Sequence, residues 1–215
     1  PHTLDPAPAP PARDRYADFA ALARAEAEGV DYVILRREGR SGTAVMAPHG
    51  GGIEPGTADL ADAVAADRHA FYGFKGIKPA GNRVLHITSN RFDEPAAVAM
   101  ASSAAWVLTL HGCQGAEELV WVGGRHADFG RVFIRTLRRF GFQAEVGARP
   151  GLRGLQPGNL CNRGRAGRQE EAYGRLRALP HAVGRTVHRR RHAHRKRVAR
   201  GRYCALEVHV RTDLD

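Results

Sequence analysis

The sequence predicts an α/β domain on a mixed or parallel sheet flanked by helices, and three observations lead there. Strand-like segments alternate with segments of helical spacing. Several strands are continuous apolar runs, as expected where both faces of a sheet are covered. Residues of metal-ligand type follow the strand-like runs, where open α/β sheets place their sites. With 215 residues and 43% hydrophobic composition, the chain is long enough for one sizeable domain and a tail.

Residues 1–13 carry Pro6, Pro8, Pro10 and Pro11 and read as a flexible leader, because proline fixes φ and lacks an N–H. From residue 14 to about 168 the chain reads as the α/β domain. YADFAALARAEAEG has helical spacing and stops at Gly29; DYVILRRE and SGTAVMAP follow as strands. TADLADAVAADRH predicts a helix with Thr57 as N-cap and Leu60 and Val64 on one face. RVLHITS has strand character, and the alanine-rich residues 95–103 read as a helix. WVLTL is a short strand running into His111, ELVWVGG is another, RHADFGRVFIRTLRRFGF is an amphipathic helix, and QAEVGA is a further strand. CALEVHVRT alternates like one more strand, with no evident place in the sheet.

The formal net charge of +11 is concentrated at one end. Residues 1–162 hold 18 Lys and Arg against 17 Asp and Glu, whereas residues 163–215 hold 15 against 5. Cys113, Cys161 and Cys204 lack CxxC spacing and are too few for a disulfide framework. Cys113 and Cys161 read as buried thiols, with a site-proximal disulfide as the other reading. No apolar stretch approaches the length needed to cross a bilayer, which argues against a membrane partner. PHTLDPAPAPPARD is no signal h-region, and the chain starts without Met, so the expectation is a soluble protein, either cytoplasmic or exported after loss of a signal.

The chemistry gathers at APHGGGIEPG and LHGCQG. Gly50, Gly51 and Gly52 let the chain double back, so that Glu54 can share a centre with His49, and His111 supplies a third side chain of zinc-ligand type. Such a set leaves a coordination position open for water. A glycine-rich turn with two solvated polar residues would leave the same trace, and such loops also bind phosphate. His86, read inside a strand, is expected to be a hydrogen-bonded core residue, and His69 and His126 are expected to be solvated.

APHGGGIEPGT, HITSNRFDEP, LHGCQG and NLCNRGRAG, in this order, resemble the successive signature segments of the poly-γ-glutamate hydrolase family. That family includes phage enzymes and is also labelled phage-related replication proteins. The resemblance spans about residues 15–168, and four ordered motifs are more specific than any one. It implies a zinc-carboxypeptidase-like fold and cleavage of γ-linked glutamyl amide bonds in poly-γ-glutamate or a similar acidic polymer. It also implies one Zn2+ held by His49, Glu54 and His111. Arg91 would steady a substrate carboxylate or a developing oxyanion, or else pair with Asp93 or Glu94 in a turn. Asn162 and Arg163 resemble the Asn-Arg pair with which zinc carboxypeptidases hold a substrate carboxylate.

After NRG the chain departs from the family pattern, which continues toward a general-base glutamate. Glu171, or alternatively Glu170, would supply that carboxylate, and a helix-surface pair is the competing reading. Residues 169–215 therefore form an atypical Arg/His-rich segment, expected to be partly disordered. Its stretch 185–215 reads as an electrostatic arm for nucleic acid or acidic polymer. A change of reading frame would leave the same signature, with metal ligands retained and catalysis impaired.

Overall fold

The computed structural model describes residues 14–113, 119–147 and 153–163 together with the strand 205–211. Seven strands form one mixed sheet in the order β1-β3-β2-β4-β7-β5-β6. They are β1 (Tyr32–Arg37), β2 (Thr43–Gly51), β3 (Ala70–Gly76), β4 (Trp106–Cys113), β5 (Leu119–Gly123), β6 (Gln143–Val146) and β7 (Ala205–Arg211). The helices are α1 (Phe19–Ala25), α2 (Thr57–Ala65), α3 (Pro95–Ser103) and α4 (Ala127–Arg139). β3, β2 and β4 run parallel, β1 is antiparallel to β3, and β7 is antiparallel to β4 and parallel to β5.

Two apolar cores cover the two faces of the sheet. On one, Val45, Ala47, Leu108 and Leu110 pack against Leu60 and Val64 of α2 and Phe129, Phe133 and Leu137 of α4. On the other, Ala44, Met46, Tyr72 and Phe74 meet Leu22, Leu85, Ile87, Phe92 and Met100. Each strand sends alternate residues to opposite faces, so the helices on both sides are specified by the strands' own period of two.

Several expectations are corrected. The helix read from Tyr16 to Gly29 is only α1, because Glu26 is drawn out of it to accept from the Tyr16 hydroxyl at 2.6 Å and to pair with Lys78. The N-cap of α2 is Gly56, not Thr57; the Thr57 hydroxyl instead donates to the Glu54 carbonyl at 2.8 Å. RVLHITS is not a strand. Asn82–Leu85 is a 3-10 turn, and the alternation of Leu85 and Ile87 reflects burial in the second core rather than a ladder. β3 was missed because Gly73 and Gly76 weaken its strand signal. A Cβ at Gly76 would lie 2.6 Å from Asn82 Oδ1 and 2.9 Å from Ile53 Cγ1, so the close approach there excludes a larger residue. CALEVHVRT is a strand with a place: β7 lies between β4 and β5, so this part of residues 169–215 shares the domain's sheet.

Gly51 has φ +64°, and a Cβ there would sit 2.3 Å from the Gly76 carbonyl oxygen. Gly51→Ala is therefore expected to lower stability by roughly 2–4 kcal/mol through strain and backbone clash, read as a shift of the urea midpoint at unchanged m-value.

Candidate metal centre

The register between β2 and β3 slips by one residue between Ala47 and Gly50, so that one residue of β2 is extra. Because side chains alternate with a period of two, this bulge reverses which face the next residue serves. Val45 and Ala47 belong to the α2 side, but His49 turns to the other, against Ile87 and Phe92. The chain then folds back at Gly51 and Gly52, and the Glu54 N–H donates to the His49 carbonyl at 2.8 Å. On β4, parallel to β2, Leu108 and Leu110 serve the α2 side, and His111 meets His49 and Glu54. His49 and His111 thus lie within strands near their C-terminal ends, not in loops as the sequence suggested.

His49, Glu54 and His111 are 2%, 4% and 4% exposed. His49 Nδ1 lies 3.1 Å from His111 Nδ1 and 3.3 Å from Glu54 Oε1; His111 Nδ1 lies 3.7 Å from Glu54 Oε2. A tetrahedral ion with bonds of about 2.0–2.1 Å needs donor atoms about 3.3 Å apart. The cluster's distances involve both Glu54 oxygens; with one ligand atom from each residue the three lie within 4.8 Å of one another, so the side chains converge on a space that a small adjustment would fit to one ion. Their far sides are held as well, which for neutral His49 fixes the tautomer. His49 Nε2 donates to the Ile87 carbonyl at 2.8 Å, leaving Nδ1 with its lone pair toward the cluster when the ring is neutral. His111 Nε2 faces Ser89 Oγ at 3.4 Å, and Glu54 Oε2 accepts from the Gly112 N–H at 2.8 Å.

Without a cation the cluster shifts its own protonation. Burial would raise the Glu54 carboxyl, but the His49 charge and the bonds to His111 and His49 overcome it and hold the group far below the usual range. Burial would lower His49, and the Glu54 carboxylate more than offsets this, so its imidazole is raised above 6.5.

His86 is a residue whose role the sequence concealed. It is hydrogen-bonded as expected, through Nδ1 to Asp14 Oδ1 at 2.7 Å, but it also lies over the His49 ring with centroids 4.2 Å apart. Burial first, then the His49 charge, lowers it to about 4, so it is neutral at physiological pH. The Asp14 carboxylate accepts from Nδ1, which leaves Nε2 as an acceptor 4.0 Å from Glu54 Oε1. No local motif couples residue 14 to residue 86.

Arg91 binds neither Asp93 nor Glu94. Those carboxylates accept from the Phe19 N–H and the first turn of α3, while the Arg91 guanidinium pairs with Asp14. Arg91 therefore stands behind Asp14 and outside the three-donor cluster. Asn162 is buried, and its amide donates to the Gly154 and Gln156 carbonyls at 2.7 and 2.8 Å, so both amide hydrogens tie its own loop. Among the described residues, Arg163 uses only Nε, on the Gly158 carbonyl at 3.1 Å. The loop abuts the centre through the Leu160 N–H, which donates to the Ser89 carbonyl at 3.1 Å. Cys161 is a buried thiol not joined to Cys113, which is half-buried. His69 and His126 are not solvated: His69 pairs with Ser41 Oγ at 2.7 Å, and His126 caps α4 against Trp106. Glu170 and Glu171 lie outside the described residues.

The fold and this cluster define an α/β domain with a buried His–Glu–His centre able to hold a metal ion. The chain belongs to the poly-γ-glutamate hydrolase family, whose model matches residues 16–193 and so reaches past residue 168, where the motif resemblance ends. It is 36% identical to the UPF0714 protein YmaC of Bacillus subtilis over 168 residues, 77% of this chain and 70% of YmaC. It is also 36% identical to YndL of the same species, over 73% of this chain but 62% of YndL, so it spans less than two thirds of that relative. Among solved structures, a bacteriophage poly-γ-glutamate hydrolase matches with TM-score 0.70 and 28% identity, covering 84% of this chain and all of that one. A zinc-free form of YndL matches with TM-score 0.67 and 28% identity, over 86% of this chain and all of that one. The nucleic-acid reading of residues 185–215 finds no support in these relatives. Among the described residues, no helix is long and apolar enough to cross a membrane.

The metal-free protein should show a definite pH response. The raised His49 contributes stability fully below its ordinary value of 6.5 and loses it as pH rises through the higher folded value. The depressed Glu54 contributes above its ordinary 4.5 and loses it as pH falls below that. His86, held at about 4, costs stability as pH falls below 6.5, so thermal unfolding of chelator-treated protein is expected to be most resistant near the upper of those two values and to weaken on either side. Added zinc at a hundredfold over its Kd should stabilise by about 2.7 kcal/mol, and His111→Ala should abolish the zinc-dependent rise in Tm.

Proposed function

We propose that this protein is a zinc-dependent hydrolase of the γ-glutamyl amide bonds in poly-γ-glutamate or a closely similar acidic polymer, with His49, Glu54 and His111 as the ligands of one ion. The observation that carries this reading is the convergence of three buried ligand-type side chains, one atom from each lying within 4.8 Å of the others, in a chain of this family. When bound, zinc supplies a Lewis acid for the amide carbonyl and acidifies water near neutral pH.

The chain's own residues do the rest. Water adds across the amide: its oxygen joins the carbonyl carbon, the C–N bond breaks, and a proton passes to the leaving amine. Glu171, or Glu170, takes the proton from water and returns it to the amine. His86, neutral and anchored by Asp14, offers a hydrogen-bond acceptor beside the reacting groups. Asn162 braces the loop and Arg163 presents its remaining guanidinium donors to a substrate carboxylate, a fork that suits the one carboxylate carried by each γ-linked residue.

The direct assay is the release of glutamate oligomers from the polymer by zinc-loaded protein, stopped by chelator and restored by zinc. Absence of release with zinc bound would favour the impaired homologue instead. Glu171→Gln and Glu170→Gln should separate the base from its neighbour, one losing about 10²-fold or more in kcat with zinc content unchanged. Arg163→Ala is expected to raise KM with a smaller change in kcat. Asn162→Ala should instead lower stability by about 1–3 kcal/mol, because it strands the carbonyl of buried Gly154. Urea titration beside steady-state kinetics distinguishes the two.

A further inference from the structure

α4 places Arg131, Arg135, Arg138 and Arg139 at intervals of three and four, which gathers them on one side of the helix. Opposite sits β6, the edge strand of the sheet. Between them lies an open groove of about 840 Å³ lined by those four arginines with Ile134, Glu145 and Val146. Four guanidinium groups thus face one carboxylate residue. Arg131 pairs with Asp128, and Arg138 donates to the Ala144 carbonyl at 2.9 Å. Arg135 and Arg139 have no ion-pair partner among the described residues. Like charges spaced by four destabilise a helix, and the terminal dipole offsets this only in the last turn, so helix stability accounts for Arg131 through Asp128 but does not explain Arg135.

The strand registers locate this groove relative to the metal centre. His111 on β4 stands opposite Glu207 on β7, which stands opposite Trp121 on β5, which stands opposite Glu145 on β6. The groove is therefore at the same height in the sheet as His111. Three strand spacings separate the two, about 14 Å. α4 lies on the face away from His111, and the groove runs between it and the edge strand β6.

We propose that this arginine groove is a second binding surface for the acidic polymer, holding a stretch of poly-γ-glutamate beside the sheet while a neighbouring stretch of the same chain reaches the metal centre. The proposal rests on the substrate class given above. Charge complementarity selects the occupant: an extended polyanion with one carboxylate per residue can meet several forks at once. A polymer held there raises the effective concentration of its own bonds at the centre, which a short oligomer cannot exploit.

The test is Arg135→Glu/Arg139→Glu in the zinc-loaded full chain, with Arg135→Lys/Arg139→Lys as the charge-preserving companion. Anisotropy of labelled long poly-γ-glutamate reads binding on mixing, and kcat/KM is measured on long polymer and on a short γ-glutamyl oligomer. Charge reversal is expected to weaken polymer binding about tenfold at low salt, with the difference shrinking at high salt. The lysine variant should keep most of the affinity, and kcat/KM on the short oligomer should stay within about twofold of the parent. Unchanged polymer affinity on reversal would overturn the proposal and leave the arginines as guards of an edge strand. So would an equal loss on long and short substrates with a lowered Tm. Duplex DNA that displaces the polymer at lower concentration, in a manner dependent on Arg135 and Arg139, would reassign the groove to nucleic acid. Arginine-dependent polymer binding without any turnover would instead reject the hydrolase reading and keep the groove.

Discussion

Two imidazole nitrogens 3.1 Å apart, with a carboxylate beside them, can be buried together only when a proton or a cation lies between them. Both Nδ1 atoms face inward, so two lone pairs would repel in a site only a few per cent exposed. In the absence of metal a proton on either ring answers this, and the Glu54 carboxylate raises the His49 imidazole despite its burial. A divalent ion answers it more completely, because it satisfies all three donors at once. Much of the surrounding chain serves to keep that arrangement from relaxing. The Ile87 carbonyl holds one ring, Ser89 faces the other, and the Gly112 N–H holds the carboxylate.

The backbone device behind this is the single extra residue in β2. In a regular strand His49 would continue the row of Val45 and Ala47 into the core under α2. The bulge brings it to the face where Ile87 waits and where His111 arrives from a parallel neighbour. The glycines after it act by different means. Gly51 supplies a left-handed backbone, whereas Gly50 and Gly52 let Ala58 and Asn82 approach to distances at which any Cβ would collide. Sequence patterning made the glycine run conspicuous without distinguishing these roles.

What was legible in the sequence was whatever local pattern determines. β1, α3 and α4 follow from composition and period, and the three donor residues stood out because they are ligand types placed after apolar strands. What was concealed depends on distant partners. β3 hid behind two glycines that exist for close packing. Asp14 and His86 form one unit across 72 residues of chain. Asn162 carried the right residue type for gripping a carboxylate, yet both of its amide hydrogens are committed within its own loop. His69 and His126, lacking motif partners, were read as solvated, although a hydroxyl and a helix N-terminus occupy them in the interior.

The position of β7 bears on how the protein comes into being. Residues 205–211 separate β4 from β5, and no other described strand joins those two. During synthesis, the half of the sheet that contains the ligand strands emerges early, then stands with β4 as a raw edge while roughly ninety more residues are made. At typical elongation rates that interval is on the order of ten seconds. Closing the sheet afterwards joins segments far apart in the chain, a slow kind of contact that leaves unpaired edges exposed to other chains. Closure of the sheet is thus a late event, remote in sequence from the strands that carry the three-residue cluster.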